Sequence, residues 1–274
     1  MSLTKSQFSK RNIIIGVGIF CVASLVVAFA LKSIRTNSLT QTPKAAPEPI
    51  GRIAIILDDW GYNSKGCAFL EKIDIPVAVS ILPELHYSQD MARCAHQNNK
   101  EVMLHLPLEP HKFSETYPDG YVILSSMTKD EVFAHLDKFF KNIPFVVGAN
   151  NHMGSKATEN RELMKTIFSY LHKNNFFFID SLVSSDSICE SVAQGEGVSF
   201  LRRNVFLDNE ANSEYIKGQL DQLAKRARKY GFALGIGHDR PLTQKALLEY
   251  GQEMKNQGFD FVTVKELIDY AKKK

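Results

Sequence analysis

The sequence predicts an α/β protein, a β/α barrel of seven to eight strands preceded by an N-terminal transmembrane or signal helix. Three observations lead there. Strand-like apolar runs alternate with helix-like segments from Gly51 to the carboxyl terminus. The strand runs are apolar on both faces, as in a parallel sheet covered by helices. Polar residues able to do chemistry gather where these runs end, the edge at which barrels place their sites. A chain of 274 residues with 44% hydrophobic content is long enough for one large core with appendages.

The chain opens with Lys5, Lys10 and Arg11 ahead of an uncharged apolar run at 13–31. That length is close to the roughly 20 residues a spanning helix needs, and the basic flank keeps the amino terminus inside. Residues 1–31 therefore read as a basic tip plus a membrane anchor. Ala28-Phe29-Ala30 also fits a small-x-small cleavage site, so a cleaved signal peptide stands beside the anchor. The length of the run favours the anchor. Either reading places the remainder outside the cytoplasmic membrane, periplasmic or otherwise extracytoplasmic, tethered through the N-terminal helix or secreted. Cys21 follows Phe20 rather than a small residue, which speaks against lipoprotein acylation. Residues 32–50 are polar and carry Pro43, Pro47 and Pro49, a composition that forms an extended linker. The folded domain is then 51–274.

Within it, GRIAIIL (51–57) is the first strand, 64–72 a short helix and VAVSIL (77–82) the second strand. A helix at 88–98 leads into EVMLHL (101–106). The long segment 111–127, with Tyr117, Pro118 and Tyr121, is expected to wall a cleft. Thr128-Lys129-Asp130-Glu131 is a capping box that opens a helix to about Lys141, with Val132 and Leu136 on one face. FVVGA (145–149), a helix at 161–173, FFFID (176–180), a helix near 186–193 and a strand within 198–207 follow. The helix at 213–230 carries Ile216, Leu220, Leu223 and Ala227 at helical spacing, and Gly231 fits its C-terminal cap. FALGIG (232–237), a helix at 243–256, FVTV (261–264) and a short last helix complete the chain.

Several classes are excluded or unsupported. A net charge of +3, from 33 basic and 30 acidic residues, gives no electrostatic footprint for nucleic acid. No glycine-rich nucleotide loop follows the first strand. Cys67, Cys94 and Cys189 lie far apart with no C-x-x-C, so neither a zinc ribbon nor a disulfide scaffold is expected. A Cys67–Cys94 bridge is open in an oxidising compartment, with buried thiols the preferred reading. No obligate protein partner is indicated.

Strand one ends in Asp58-Asp59-Trp60-Gly61, strand three runs into His105 to Glu109, and strand four is followed by Asn150-Asn151-His152-Met153-Gly154-Ser155. Strand five ends at Asp180, strand six at Asp208 and strand seven at His238. Each item alone has a bland reading: Asp-Asp-x-Gly can be a capped turn, and a lone strand-end histidine is usually a hydrogen-bonded packing residue. Together they point elsewhere. Adjacent carboxylates repel, and holding Asp58 and Asp59 side by side calls for a cation, a proton or donors. Imidazoles beside them suit a divalent ion, zinc first, with one coordination position left for water. Such an ion would acidify that water and polarise a carbonyl. His238 is placed to protonate a leaving group, histidine being the side chain whose charge changes near neutrality. Trp60 and Tyr62 are candidates for stacking on a sugar ring, with packing over the barrel mouth the equal alternative.

These residues, in this order, resemble the polysaccharide deacetylase superfamily, nearest its divergent branch of exported bacterial proteins, over roughly 51–270. Ile56-Leu57-Asp58-Asp59-Trp60-Gly61 resembles the T-F-D-D-G strand end, which implies Asp58 as catalytic base and Asp59 as metal ligand. The H-x-x-x-H ligand motif is matched by His105 to Glu109 with the second histidine replaced by glutamate. The N-N-H-M-G-S block of the divergent branch is matched by Asn150 to Ser155, which makes His152 a replacement ligand. Gly235-Ile236-Gly237-His238 resembles the late motif whose histidine is the acid. No counterpart of the family's base-orienting arginine is visible. The resemblance implies a distorted (β/α) barrel and the removal of acetyl groups from a cell-envelope glycan. The expected assignments are Asp58 and His238 catalytic; Asp59, His105, His152 and Glu109 metal-binding; Trp60, Asn151 and Asp180 substrate-binding. A barrel that has lost catalysis and binds carbohydrate or acts as an envelope scaffold is the alternative.

Overall fold

The computed structural model describes residues 48–112 and 121–274. The expected anchor, the linker through residue 47, and Tyr117 and Pro118 lie outside the described residues. Among the described residues no helix is long and apolar enough to cross a membrane.

Strand and helix alternate as the apolar runs predict. The strands are β1 (Gly51–Trp60), β2 (Ala78–Ile81), β3 (Glu101–Leu108), β4 (Val146–Met153), β5 (Phe177–Asp180), β6 (Phe200–Arg202), β7 (Val205–Phe206), β8 (Phe232–His238) and β9 (Phe259–Phe261). The helices are α1 (Cys67–Leu70), α2 (Ser88–Gln97), α3 (Lys129–Asn142), α4 (Arg161–Lys173), α5 (Cys189–Glu196), α6 (Ser213–Tyr230), α7 (Pro241–Asn256) and α8 (Val264–Ala271).

All ladders are parallel, in the order β6-β5-β4-β3-β2-β1-β8-β7, with β9 pairing the first residues of β1. Because β8 occupies one edge of β1 from Arg52 to Asp58, β9 and β2 share the other edge, β9 low and β2 high. Among the described residues no ladder joins β6 to β7, so the barrel is distorted and open at that seam.

Side-chain parity sorts the core into two layers, since successive residues of a strand face opposite sides. Ile53, Ile55 and Leu57 pack outward with the helices, as do Leu104 and Leu106. Ala54, Ile56, Met103, Ile179, Leu234 and Ile236 face inward and meet Val264, Leu267 and Ile268 of α8, which plugs the amino-terminal end of the barrel. Glu101 fixes that plug by accepting hydrogen bonds from the Val264 N–H at 2.7 Å and the Lys265 N–H at 3.2 Å.

Local signals hold where the chemistry is short-range. Thr128 and Glu131 form the capping box of α3, and Gly231 ends α6 in the left-handed region at φ 85°. Three expectations need correction. The last strand is β9 rather than 261–264, because Thr263 and Glu266 form a capping box that makes Val264 the first residue of α8. The region 198–207 holds two short strands separated by Arg203 and Asn204. Cys67 and Cys94 are disulfide-bonded, with Cα atoms 6.0 Å apart, and among the described cysteines Cys189 alone is a buried thiol. The bridge fastens α1 to α2 across a sequence separation of 27 residues.

Candidate functional site

The inward parity that lines the core with Ala54 and Ile56 delivers Asp58 at the carboxyl end of the same strand. By the same count Met103 leads to His105, Gly148 to Asn150 and His152, and Ile236 to His238. Asp59 has the outward parity and reaches the site by a different device. The β1–β2 register breaks between Leu57 and Trp60, and Asp59 adopts φ 64°. A left-handed non-glycine costs about 1–2 kcal/mol, and such strain concentrates at functional positions. Its result is that both carboxylates face His105: Asp58 Oδ1 lies 3.7 Å from Nδ1, and Asp59 Oδ1 lies 3.3 Å from Nε2.

Asn150 organises the buried half of the site. Its amide nitrogen donates to Asp58 Oδ1 at 2.9 Å and to Ser181 Oγ at 3.1 Å, while its oxygen accepts from the Ser80 hydroxyl. His105 Nδ1 stands 3.2 Å from that same amide oxygen. An oxygen can only accept, so Nδ1 carries a proton and Nε2 is directed into the site.

Three atoms able to ligate a metal then converge. Asp59 Oδ1 is 3.3 Å from His105 Nε2 and 3.2 Å from His152 Nδ1, and the two nitrogens are 3.2 Å apart. Asp59 Oδ1 is buried and has no hydrogen-bond partner of acceptable geometry. Lone pairs gathered in this way repel unless a proton or a cation stands between them. Donors about 2.0–2.1 Å from a tetrahedral zinc ion are roughly 3.3 Å from one another, so these residues fit a divalent ion. Asp59, His105 and His152 are the residues that would hold it.

The electrostatics divide the acidic pair. Burial pushes the Asp58 carboxyl upward, against the pull of His105 and the Asn150 hydrogen bond. Asp59 is also penalised by burial, yet the His105 and His152 imidazoles hold it well below the usual carboxylate range. Burial pushes His152 downward, towards the neutral form in which imidazole ligates metals.

His238 stands across the cleft, its Nε2 3.8 Å from Asp59 Oδ2. Its Nδ1 is 2.8 Å from Asp208 Oδ1, and the Asp208 carboxylate also accepts from the His238 N–H and the Thr243 hydroxyl. Despite the burial that opposes it, these donors keep Asp208 ionised to lower pH than a free aspartate.

Four expected site residues sit elsewhere or face away. Glu109 is drawn off by Lys156 Nζ at 2.7 Å and the Ser125 N–H at 2.7 Å, outside the three-ligand group. Trp60 is fully buried, its ring packed on Gly66, and offers no face to a sugar; the exposed neighbour is Tyr62. Asn151 has the outward parity and spends its amide on the Met153 carbonyl and the Ser181 N–H. Asp180, also outward, accepts from the Leu182 N–H and the Ser187 hydroxyl.

Other residues carry more of the site than the sequence reading gave them. Asp208 had no assigned role, and no local motif distinguishes it from any aspartate closing an apolar run. Arg203 lies at the open seam, donates to the Ser181 and Leu182 carbonyls at 2.7 and 3.0 Å, and its charge reaches Asp58 and Asp180. No motif in the sequence singled it out.

Fold and site together define a barrel of the polysaccharide deacetylase type. The chain belongs to the divergent polysaccharide deacetylase family, whose model matches residues 55–268. The Escherichia coli protein YibQ, itself described as uncharacterised, is 32% identical over 203 residues, which cover 74% of this chain and 63% of YibQ. The chain thus spans somewhat under two thirds of that relative. A crystal structure of the uncharacterised Agrobacterium tumefaciens protein ATU2773 superposes with a TM-score of 0.77 at 21% identity, covering 82% of this chain and 92% of that one. The peptidoglycan deacetylase PdaC of Bacillus subtilis gives a TM-score of 0.50 at 14% identity, covering 84% of this chain and 94% of PdaC. These structural likenesses speak to the fold alone.

Proposed function

We propose that the protein is a metal-dependent hydrolase that removes acetyl groups from a cell-envelope polysaccharide. The observation that carries this reading is the triangle of Asp59 Oδ1, His105 Nε2 and His152 Nδ1, with edges of 3.2–3.3 Å and an orphaned carboxylate oxygen. A divalent ion held there would polarise a carbonyl and make a water more acidic.

The chain's own groups do the rest. Asp58, a buried carboxylate whose proton affinity is raised, accepts the proton of the attacking water. Asn150 fixes its orientation. His238 donates from Nε2 to the departing amine or alcohol, because Asp208 claims the Nδ1 proton. The disulfide between Cys67 and Cys94 and the apolar run at 13–31 support an extracytoplasmic location, membrane-anchored or released.

Metal analysis of the purified protein, paired with acetate release from an N-acetylated chito-oligosaccharide, tests the proposal. A stoichiometric divalent ion lost in Asp59→Ala and His152→Ala is expected, together with acetate release that Asp58→Asn abolishes while the ion stays bound. Unchanged release by Asp58→Asn would reject it as base. A metal-free protein that binds glycan without releasing acetate would favour the non-catalytic envelope barrel.

A further inference from the structure

We infer that the groove between α6 and β7 is an anion-recognising subsite, and that the polysaccharide the protein acts on carries carboxylates along the chain rather than being neutral. This rests on the hydrolase reading for the acetyl group but on separate residues for the anion.

The groove encloses a cavity of about 580 Å³ whose lining includes Arg203, Phe206, Tyr215, Lys225, Arg226 and Lys229 and no aspartate or glutamate. Lys225, Arg226 and Lys229 are exposed, and among the described residues none of them lies within ion-pair distance of a carboxylate. A row of exposed cations in a groove whose lining holds no carboxylate attracts polyanions, increasingly so in a concave site.

The groove is also continuous with the catalytic cleft. Phe206 packs edge-on against His238, ring centroids 5.2 Å apart, and Arg203 lies over Phe206 while its charge reaches Asp58. Between Tyr215 and Tyr230 the lining follows one face of α6 for roughly 22 Å at the usual helical rise. Its route lies beside β7, at the seam where the barrel is not closed by a ladder. An extended chain with one acetylated sugar at His238 would therefore continue past the cations. Tyr215 adds a flat surface against which a pyranose ring packs, while the Tyr230 ring lies by Arg226 and Lys229 and holds them along the groove.

Equilibrium binding of a partially O-acetylated polyuronate, with a neutral N-acetylated chito-oligosaccharide of matched length as control, is the decisive measurement. It should be made at low and high salt on the wild type and on the combined variant K225Q, R226Q, K229Q, with acetate release recorded in parallel. The variant should bind the polyuronate about tenfold more weakly at low salt, a loss that shrinks at high salt as screening sets in. Its binding of the neutral oligosaccharide and its metal content should not change. Equal affinity of wild type and variant for the polyuronate would overturn the subsite, as would tighter binding of anionic phospholipid vesicles or RNA than of the polyuronate. Salt-dependent binding lost in the variant, with no acetate release from either glycan, would keep the subsite and reject the hydrolase.

Discussion

Asp208 and His238 are joined twice. One carboxylate oxygen takes the ring Nδ1–H at 2.8 Å and the other takes the backbone N–H of the same histidine at 2.9 Å. The imidazole is thereby fixed in both tautomer and plane, with Nε2 towards Asp59.

Asp208→Asn keeps the shape of this contact but presents an amide whose N–H competes with the Nδ1 proton. Acetate release should fall by about a hundredfold or more in kcat, as when a carboxylate orienting a catalytic histidine is replaced by its amide. Metal content should be unchanged, and kinetics with parallel metal analysis would check both.

Glu109 separates the motif reading from the spatial one. Spacing makes it a ligand, whereas the structure commits it to Lys156 and Ser125. Glu109→Ala should therefore retain the divalent ion, with a stability change within about 1 kcal/mol, while His105→Ala loses the ion. Loss of metal in Glu109→Ala would restore the motif assignment.

Gly66 is where the Asp59 bulge is braced. A Cβ there would sit 2.2 Å from Trp60 Cζ3, and the buried indole has no room to withdraw. Gly66→Ala should destabilise the fold by about 1–3 kcal/mol, as overpacking does. Because Trp60 directly follows Asp59, metal affinity should fall with it. Urea unfolding and metal titration read the two effects.

Stability should depend on pH through Glu101. Burial pushes its carboxyl up to about 7, outweighing the Val264 and Lys265 N–H groups it faces. An acid whose folded pKa is raised binds its proton more tightly when folded, so its contribution is present below the unfolded value of 4.5 and is lost as pH rises to about 7. The urea midpoint should decline across that window, and Glu101→Gln should flatten the decline. An identical profile in the variant would assign the pH dependence elsewhere.

Much of this was legible in the sequence because its causes are local. Thr128 with Glu131 starts a helix and Gly231 ends one whatever surrounds them. Apolar runs separated by amphipathic ones give a parallel β/α order, and Asp58, His105, His152 and His238 at strand ends mark where chemistry gathers.

What the tertiary structure alone decided is which way those residues point and what they meet. Strands buried on both faces are apolar on both, so period two cannot say whether Asn150 or Asn151 faces the cleft; the ladder to β3 and the plug of α8 choose Asn150. Asp59 enters only because a bulge reverses its parity, and Trp60 is turned into the core by the same distortion. Asp208, Arg203 and the Cys67–Cys94 bridge depend on contacts between segments distant in sequence, and composition and spacing hold no record of such contacts until the chain closes on itself.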